Sequence, residues 1–207
     1  HLLQTSSNVT LKDYTRYLDN TETKNNNEGA FAYTHTFGKD HTLLVDFTHS
    51  TFGEIERNLY TNSYVVPVQD NSLDSTHIKQ FEYLNLARAI YSRQLDEKNK
   101  IVLGYEAELD KTDMRYYACD FLSNAWVKNT DKSNDFVFNQ NVHSLYGTWE
   151  HTFDRFSMMT GVRAEQSFIT SHLLTLDQKV KNNYFMFYPT FHSSYKLNDN
   201  SELQFNY

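Results

Sequence analysis

Apolar and polar side chains alternate along much of the chain with a period of two. Between residues 101 and 110, Glu106, Glu108 and Asp110 share one face, opposite an apolar face that includes Leu103 and Leu109. A helix would scatter the three carboxylates around its surface, whereas a β-strand places them all on one side. The same alternation predicts strands at 29–37, 42–52, 78–93, 101–110, 137–153, 156–165, 184–197 and 202–207. Residues 84–90 also fit a helix, but their neighbours favour a strand.

The connections between these strands alternate in length. Short polar turns of hairpin length are predicted at 38–40, 95–99, 154–155 and 198–201. Longer polar connections are predicted at 53–77, 113–136 and 171–183. The order of strand, short turn, strand and long loop is that of an antiparallel, up-and-down arrangement of about eight long strands.

A transmembrane β-barrel accounts for this order of elements. Such a barrel has short turns on one side and longer loops on the other, and its strands cross the apolar layer in about 9–11 residues. The fold class predicted is therefore all-β, an antiparallel up-and-down segment of a transmembrane barrel. Two alternatives stay open: a small closed outer-membrane barrel that acts as an adhesin or structural protein, and a soluble β-sandwich binding module.

Composition narrows the possible functions. Aromatic residues make up 15% of the 207 residues, too many for a disordered chain. The net charge of −7 argues against nucleic acid as a partner, because phosphate binding needs clustered Lys and Arg. The single cysteine, Cys119, cannot form an internal disulfide. No stretch approaches the roughly 18 consecutive apolar residues of a membrane-spanning helix.

Several segments resemble one known family. The residues GVRAE at 161–165, NYFMFYPTFH at 183–192 and SYKLNDNSELQFNY at 194–207 carry the resemblance, with weaker support at 25–39 and 146–149. They are similar to strands of TonB-dependent receptors, in the outer-membrane-protein β-barrel branch found in Bacteroidetes. The likeness covers about residues 25–207. It departs from the family pattern at residue 207, where family members continue into further strands.

The resemblance implies a role in nutrient uptake. Family members form barrels of about 22 strands around an N-terminal plug. Residues 1–207 would then be part of one barrel domain, with the plug and further strands outside this chain. The implied cargo is a metal chelate, vitamin, glycan or peptide, and the implied location is the bacterial outer membrane. Implied partners are membrane lipid, the plug, an energy-coupling protein and a surface lipoprotein that captures substrate.

Four tyrosines in the predicted long loops are the candidate substrate-binding residues. They are Tyr60, Tyr64, Tyr116 and Tyr117. Flat amphipathic rings suit stacking on ligands, and tyrosine is favoured at binding surfaces. Anchoring of the protein at the membrane interface, or strands that extend beyond the membrane, is an equally good interpretation.

Charged residues on the polar strand faces are expected to line the lumen. They are Glu106, Glu108, Asp110, Arg163 and Glu165. They contact either the plug and substrate or one another, and we favour mutual salt bridges that keep the lumen wet.

Neither a metal site nor an enzyme is predicted. None of the nine histidines has the spacing of a zinc site or a metallopeptidase motif. His143 and Ser144 are adjacent and would lie on opposite faces of a strand, so they cannot act together. No cofactor is expected.

Overall fold

The computed structural model describes residues 2–6 and 9–207, with side chains from Lys12 onward. Nine strands and one 3-10 turn make up the fold. The strands are β1 (Leu2–Ser6), β2 (Val9–Phe37), β3 (His41–Val66), β4 (Ser72–Gln94), β5 (Asn99–Leu122), β6 (Ala125–Phe153), β7 (Phe156–Leu173), β8 (Gln178–Asn198) and β9 (Ser201–Asn206), and the 3-10 turn is Leu174–Leu176.

The strands form one sheet in which each pairs with its neighbours in chain order. The order is β1 to β9 without a crossover, and every pair is antiparallel. This confirms the predicted up-and-down all-β class. Residues 84–90, which also fitted a helix, lie inside β4. No helix among the described residues is long and apolar enough to cross a bilayer.

The predicted long connections are largely strand. β3 continues to Val66, and β4 begins at Ser72. β5 and β6 are joined by Ser123 and Asn124 alone, both with positive φ, as a two-residue type I′ hairpin requires. The four short turns are at the predicted places. Loops were therefore the wrong interpretation of 53–66, 72–77, 113–122 and 125–136, whose polar composition conceals paired strands of up to 29 residues.

In a soluble protein apolar side chains are buried and polar side chains are exposed. The two faces of this sheet show the reverse. On one side, which we call the polar face, Asp46, Ser144 and Ser167 are only 7%, 1% and 2% exposed. On the other side, the apolar face, Leu145 is 66% exposed and Phe187 60%. Ala118 is the only apolar residue of the described part of the chain that is buried. Polar side chains are thus crowded inside, and large apolar side chains point outward.

The outward apolar residues form a belt beside the short turns. We call this part of the sheet the apolar belt. Further along the strands, towards the two-residue turn at 123–124, outward positions include charged residues, as at Arg57, Lys79 and Lys111. We call this second region the distal region. Belt residues with large exposed side chains include Phe31, Tyr33, Phe37, Val45, Phe47, Leu103, Tyr105, Leu109, Leu145, Trp149, Val162, Phe185, Phe187, Leu203 and Phe205.

A glycine on the polar face makes room for an aromatic ring. Gly104 lies directly opposite Tyr146, whose ring occupies the space that a Cβ at residue 104 would fill. Arg163, opposite Tyr146 on the next strand, places its guanidinium 5.6 Å from the centre of the same ring. Glycine within a strand often marks such a close approach. Tyr146 thus links β5 to β7 across β6.

Replacing Gly104 tests this contact. We expect Gly104→Val to destabilise the full-length protein by about 1–3 kcal/mol, because Tyr146 must leave its position. The measurement is the urea midpoint in liposomes. Gly29→Val is the matched control, since a Cβ at residue 29 meets no atom within 4 Å. The added Tyr146→Ala substitution should recover part of the loss, and equal effects of the two glycine variants would contradict the contact.

Candidate functional site

A row of polar side chains crosses the polar face at the level of the apolar belt. Asp46, Arg88, Glu106, Ser144 and Glu165 lie directly opposite one another on β3, β4, β5, β6 and β7. We call these residues, together with Arg163, the charged row. Residues directly opposite in an antiparallel pair share a face and interact through their side chains. The row is therefore a consequence of strand register.

Arg163 is the centre of the charged row. Its Nη2 donates to Glu106 Oε1 at 2.8 Å and to Ser144 Oγ at 2.8 Å, and its Nε donates to Glu165 Oε1 at 2.6 Å. Ser144 Oγ in turn donates to Glu165 Oε1 at 3.2 Å. One guanidinium thus joins three strands, and the hydroxyl of the nearly inaccessible Ser144 both accepts a hydrogen bond and donates one.

The structure brings together three of the five charged residues proposed to line the lumen. Glu106, Arg163 and Glu165 contact one another. Glu108 and Asp110 lie on the same face of β5, but neither forms an ion pair with any described residue. Asp46 and Arg88, which pair at 2.9 Å, were missed, because pairing across strands depends on a register that alternation alone does not give.

A cavity of about 530 Å³ lies on the polar face of the distal region. We call it the distal pocket. Three of the four candidate tyrosines line it: Tyr60 and Tyr64 on β3, and Tyr116 on β5. Tyr117 does not line it, because adjacent strand residues face opposite ways, and its ring instead lies 4.6 Å from Lys128 Nζ. The four tyrosines are strand residues, which corrects their assignment to loops.

An arginine clamp forms one wall of the distal pocket. Arg16 on β2 binds both carboxylate oxygens of Asp74 on β4, at 3.0 and 2.5 Å, and Nη1 also donates to Asn62 Oδ1 at 2.9 Å. Asn62 Nδ2 donates to Asp74 Oδ1 at 2.7 Å. The guanidinium carbon lies 3.7 Å from the centre of the Tyr60 ring. A bidentate arginine–carboxylate pair has a fixed geometry, so β2, β3 and β4 are tied together here.

Stacked rings form a second wall. Tyr14 and Tyr64 stack with ring centres 5.4 Å apart, and Tyr64 Oη hydrogen-bonds Ser72 Oγ at 2.9 Å. Lys12 Nζ lies 4.8 Å from the Tyr14 ring centre and 5.3 Å from the Tyr64 ring centre. The ammonium group is therefore held by ring faces, a cation–π arrangement.

Sequence analysis missed Lys12, Tyr14 and Arg16 because no strand was predicted before residue 29. Their spacing of two residues was the available signal, since it places all three on one face of β2. Asn62 and Asp74 were missed because they lay in a segment interpreted as a loop. They are instead at the paired ends of β3 and β4.

Between the charged row and the distal pocket, the polar face carries a band of carboxylates. We call Glu22, Glu54, Glu56 and Glu82 the acidic band. Lys24 is the cation beside it, 2.6 Å from Glu22 and 3.4 Å from Glu54. The hydrogen bond between the Glu22 and Glu54 carboxyls lowers the pKa of Glu22 and raises the pKa of Glu54. Negative charge is thus crowded in this part of the polar face.

The geometry suggests neither a metal centre nor a nucleophile–base pair. No three His, Cys, Asp or Glu side chains of the described residues are grouped to hold a metal ion. His143 Nδ1 hydrogen-bonds Tyr105 Oη at 2.8 Å on the apolar face, whereas Ser144 contacts Arg163 on the polar face. The two adjacent residues face opposite ways, as expected for a strand.

Comparison with known proteins gives a family match and several structural likenesses. The outer membrane protein beta-barrel family matches residues 35–207. The ferric citrate transporter FecA, in its unliganded form, is similar with a TM-score of 0.52 and 13% identity, over 80% of this chain and 26% of that one. No curated protein matches the sequence.

Two further structures have lower TM-scores. The copper transporter OprC has a TM-score of 0.44 and 11% identity, over 95% of this chain and 36% of that one. The ferric yersiniabactin uptake receptor FyuA from Yersinia pestis has a TM-score of 0.42 and 12% identity, over 77% and 26%. The chain thus spans about a quarter to a third of the structures it resembles.

Substituting Arg163 should disrupt the charged row. In Arg163→Met, Glu106 and Glu165 lose their shared cation and Ser144 loses a donor, so we expect a loss of about 2–4 kcal/mol in the unfolding free energy of the full-length protein. Glu108→Gln, on the same face but without an ion pair, should stay within about 0.5 kcal/mol of the parent. The urea midpoint measures both, and an unchanged midpoint for Arg163→Met would show that the row adds no stability.

Substituting Arg16 should loosen the distal region alone. In Arg16→Met, Asp74 loses both guanidinium donors while it faces Asp120 directly, so the local opening free energy should fall by about 1–3 kcal/mol. Hydrogen exchange of the β2, β3 and β4 amides measures this. Arg115→Met is the control, since Arg115 is half exposed and pairs with Asp113 of its own strand. Equal exchange in the two variants would contradict the clamp.

Proposed function

Because the chain belongs to the outer membrane protein β-barrel family, we propose that it is a wall segment of a TonB-dependent receptor that imports a nutrient. The protein is localised to the bacterial outer membrane. In this proposal, residues 1–207 are part of one barrel domain, and the receptor belongs to the branch found in Bacteroidetes. The cargo is a metal chelate, vitamin, glycan or peptide.

The observation that carries the proposal is the inverted burial of the sheet. Leu145, Phe187 and their neighbours in the apolar belt are exposed, whereas Asp46 and Ser144 are buried. A strand of about ten residues is long enough to cross the hydrocarbon layer. The apolar belt therefore suits contact with lipid, and the polar face suits a wet lumen.

The pairing of the strands favours a larger barrel over both alternatives. A small closed barrel needs its first and last strands to pair, but the described strands form a linear order from β1 to β9. A soluble β-sandwich needs a second sheet to cover its apolar face, and the described strands all belong to one sheet. An outer-membrane barrel wall needs neither.

Transport, and not catalysis, is the role that we propose for this wall. The polar face would line the path of the nutrient, with the acidic band and the distal pocket beyond the membrane on the long-strand side. The plug and the contact with an energy-coupling protein would belong to parts of the receptor outside these 207 residues. A surface lipoprotein would deliver the substrate to the distal region.

The intact mass of the native protein from outer-membrane fractions tests this proposal. We expect a mass several times the 24.4 kDa of this chain, because a plug and the remaining strands must be present. A mass near 24.4 kDa would contradict the transporter and support the small closed barrel.

A further inference from the structure

We propose that the distal pocket binds a ligand that carries an anionic group, a carboxylate or a phosphate, on a flat ring, with the Lys12 ammonium as its anchor. This inference deepens the proposed function, since it rests on the distal pocket facing the path of the nutrient. The shared chemistry of the two anions is a set of oxygen acceptors with negative charge.

The charges that line the distal pocket do not cancel. Its lining contains three cations and two carboxylates. Arg16 is neutralised by Asp74, and Lys132 lies 3.5 Å from Asp120. Lys12 forms no ion pair with any carboxylate of the described residues. One positive charge is therefore left for a ligand.

Aromatic rings surround the Lys12 ammonium. Tyr14 and Tyr64 hold the ammonium by their ring faces, and these supply no counter-ion. An ammonium group has three donors, so oxygen atoms of an anion can reach it while the rings stay in place. Hydrogen bonds to charged groups are worth more than neutral ones, so this contact would be a main source of affinity.

The distal pocket also offers a surface for the flat ring of the ligand. Tyr116, on β5, lines the same pocket as Lys12. Unlike Tyr14, Tyr60 and Tyr64, its ring has no stacking or cation partner among the described residues. A free tyrosine face in a concave site is a stacking surface for a planar group. The volume of about 530 Å³ is within the usual range for small-molecule sites.

The charge of the distal pocket is opposite to that of the neighbouring acidic band. The acidic band lies next along the strands, where Lys24 pairs with Glu22 and Glu54, and Glu56 lies directly opposite Glu22. An anion is repelled there and attracted at Lys12. The change of sign along one face gives the distal pocket its selectivity for the anionic class.

Matched small probes test the proposal on the full-length protein in detergent. Benzoate and phenyl phosphate carry the anion, whereas benzamide keeps the shape of benzoate without the charge. We expect benzoate to bind at least about tenfold more tightly than benzamide, as one charged hydrogen bond provides. Ligand-observed NMR titration measures all three, and the ratio of phenyl phosphate to benzoate affinity identifies which anion is preferred.

Variants locate the binding. Lys12→Met should abolish the tenfold preference, and Lys12→Arg should retain it because the charge remains. Tyr116→Leu should weaken benzoate and benzamide equally, since it removes only the stacking face. Lys181→Met, at an exposed position of β8 far from the pocket, is the control and should change nothing.

Three results would overturn the inference: no benzoate binding, equal binding of benzoate and benzamide, or an unchanged preference in Lys12→Met. These outcomes are separate from a failure of the proposed function. A large native mass together with equal binding of benzoate and benzamide would support the transporter and contradict the anion site. A native mass of about 24.4 kDa together with a preference for benzoate would contradict the transporter and support the anion site.

Discussion

The structure depends on one constraint. Where a strand crosses the membrane, it must present an apolar face to lipid and a polar face to water. In the apolar belt this constraint is met residue by residue, as Leu103 and Tyr105 point outward and Glu106 points inward. Because the side-chain period of a strand is two, a shift of register by one residue would exchange the faces. The polar groups of the belt are therefore buried because the alternation places them on the inner face of the sheet.

Crowding of polar groups on one face must be compensated by pairing. Ser144 is 1% exposed, and a buried hydroxyl without a partner would be costly. Arg163 and Glu165 supply those partners, and Arg88 donates to one of the two carboxylate oxygens of Asp46. Gly104 leaves the space in which Tyr146 can pack beside this network. Charge pairing, ring packing and strand register are thus one arrangement at the level of the belt.

The strands were predicted correctly where one face meets lipid and the other meets water. They were missed where water reaches both faces. Alternation at 101–110 and 156–165 predicted β5 and β7, and four short turns were placed correctly. In the distal region water reaches both faces, and because residues 128–135 are all polar, their strand character is hidden. Three pocket tyrosines were found by residue type alone, whereas Arg16 and Asp74 need the register of β2, β3 and β4.

The distal region is where this wall can be specific. A crossing strand needs about 9–11 residues, yet β2 and β6 have 29 each, so most of their length is not required for the membrane. Backbone pairing keeps these extensions regular, and side chains there are free of the need to alternate. The Arg16–Asp74 clamp and the Tyr14–Tyr64 stack use that freedom to build a rigid concave surface. In the proposed transporter, selectivity would therefore depend on residues whose pattern is the least regular in the chain.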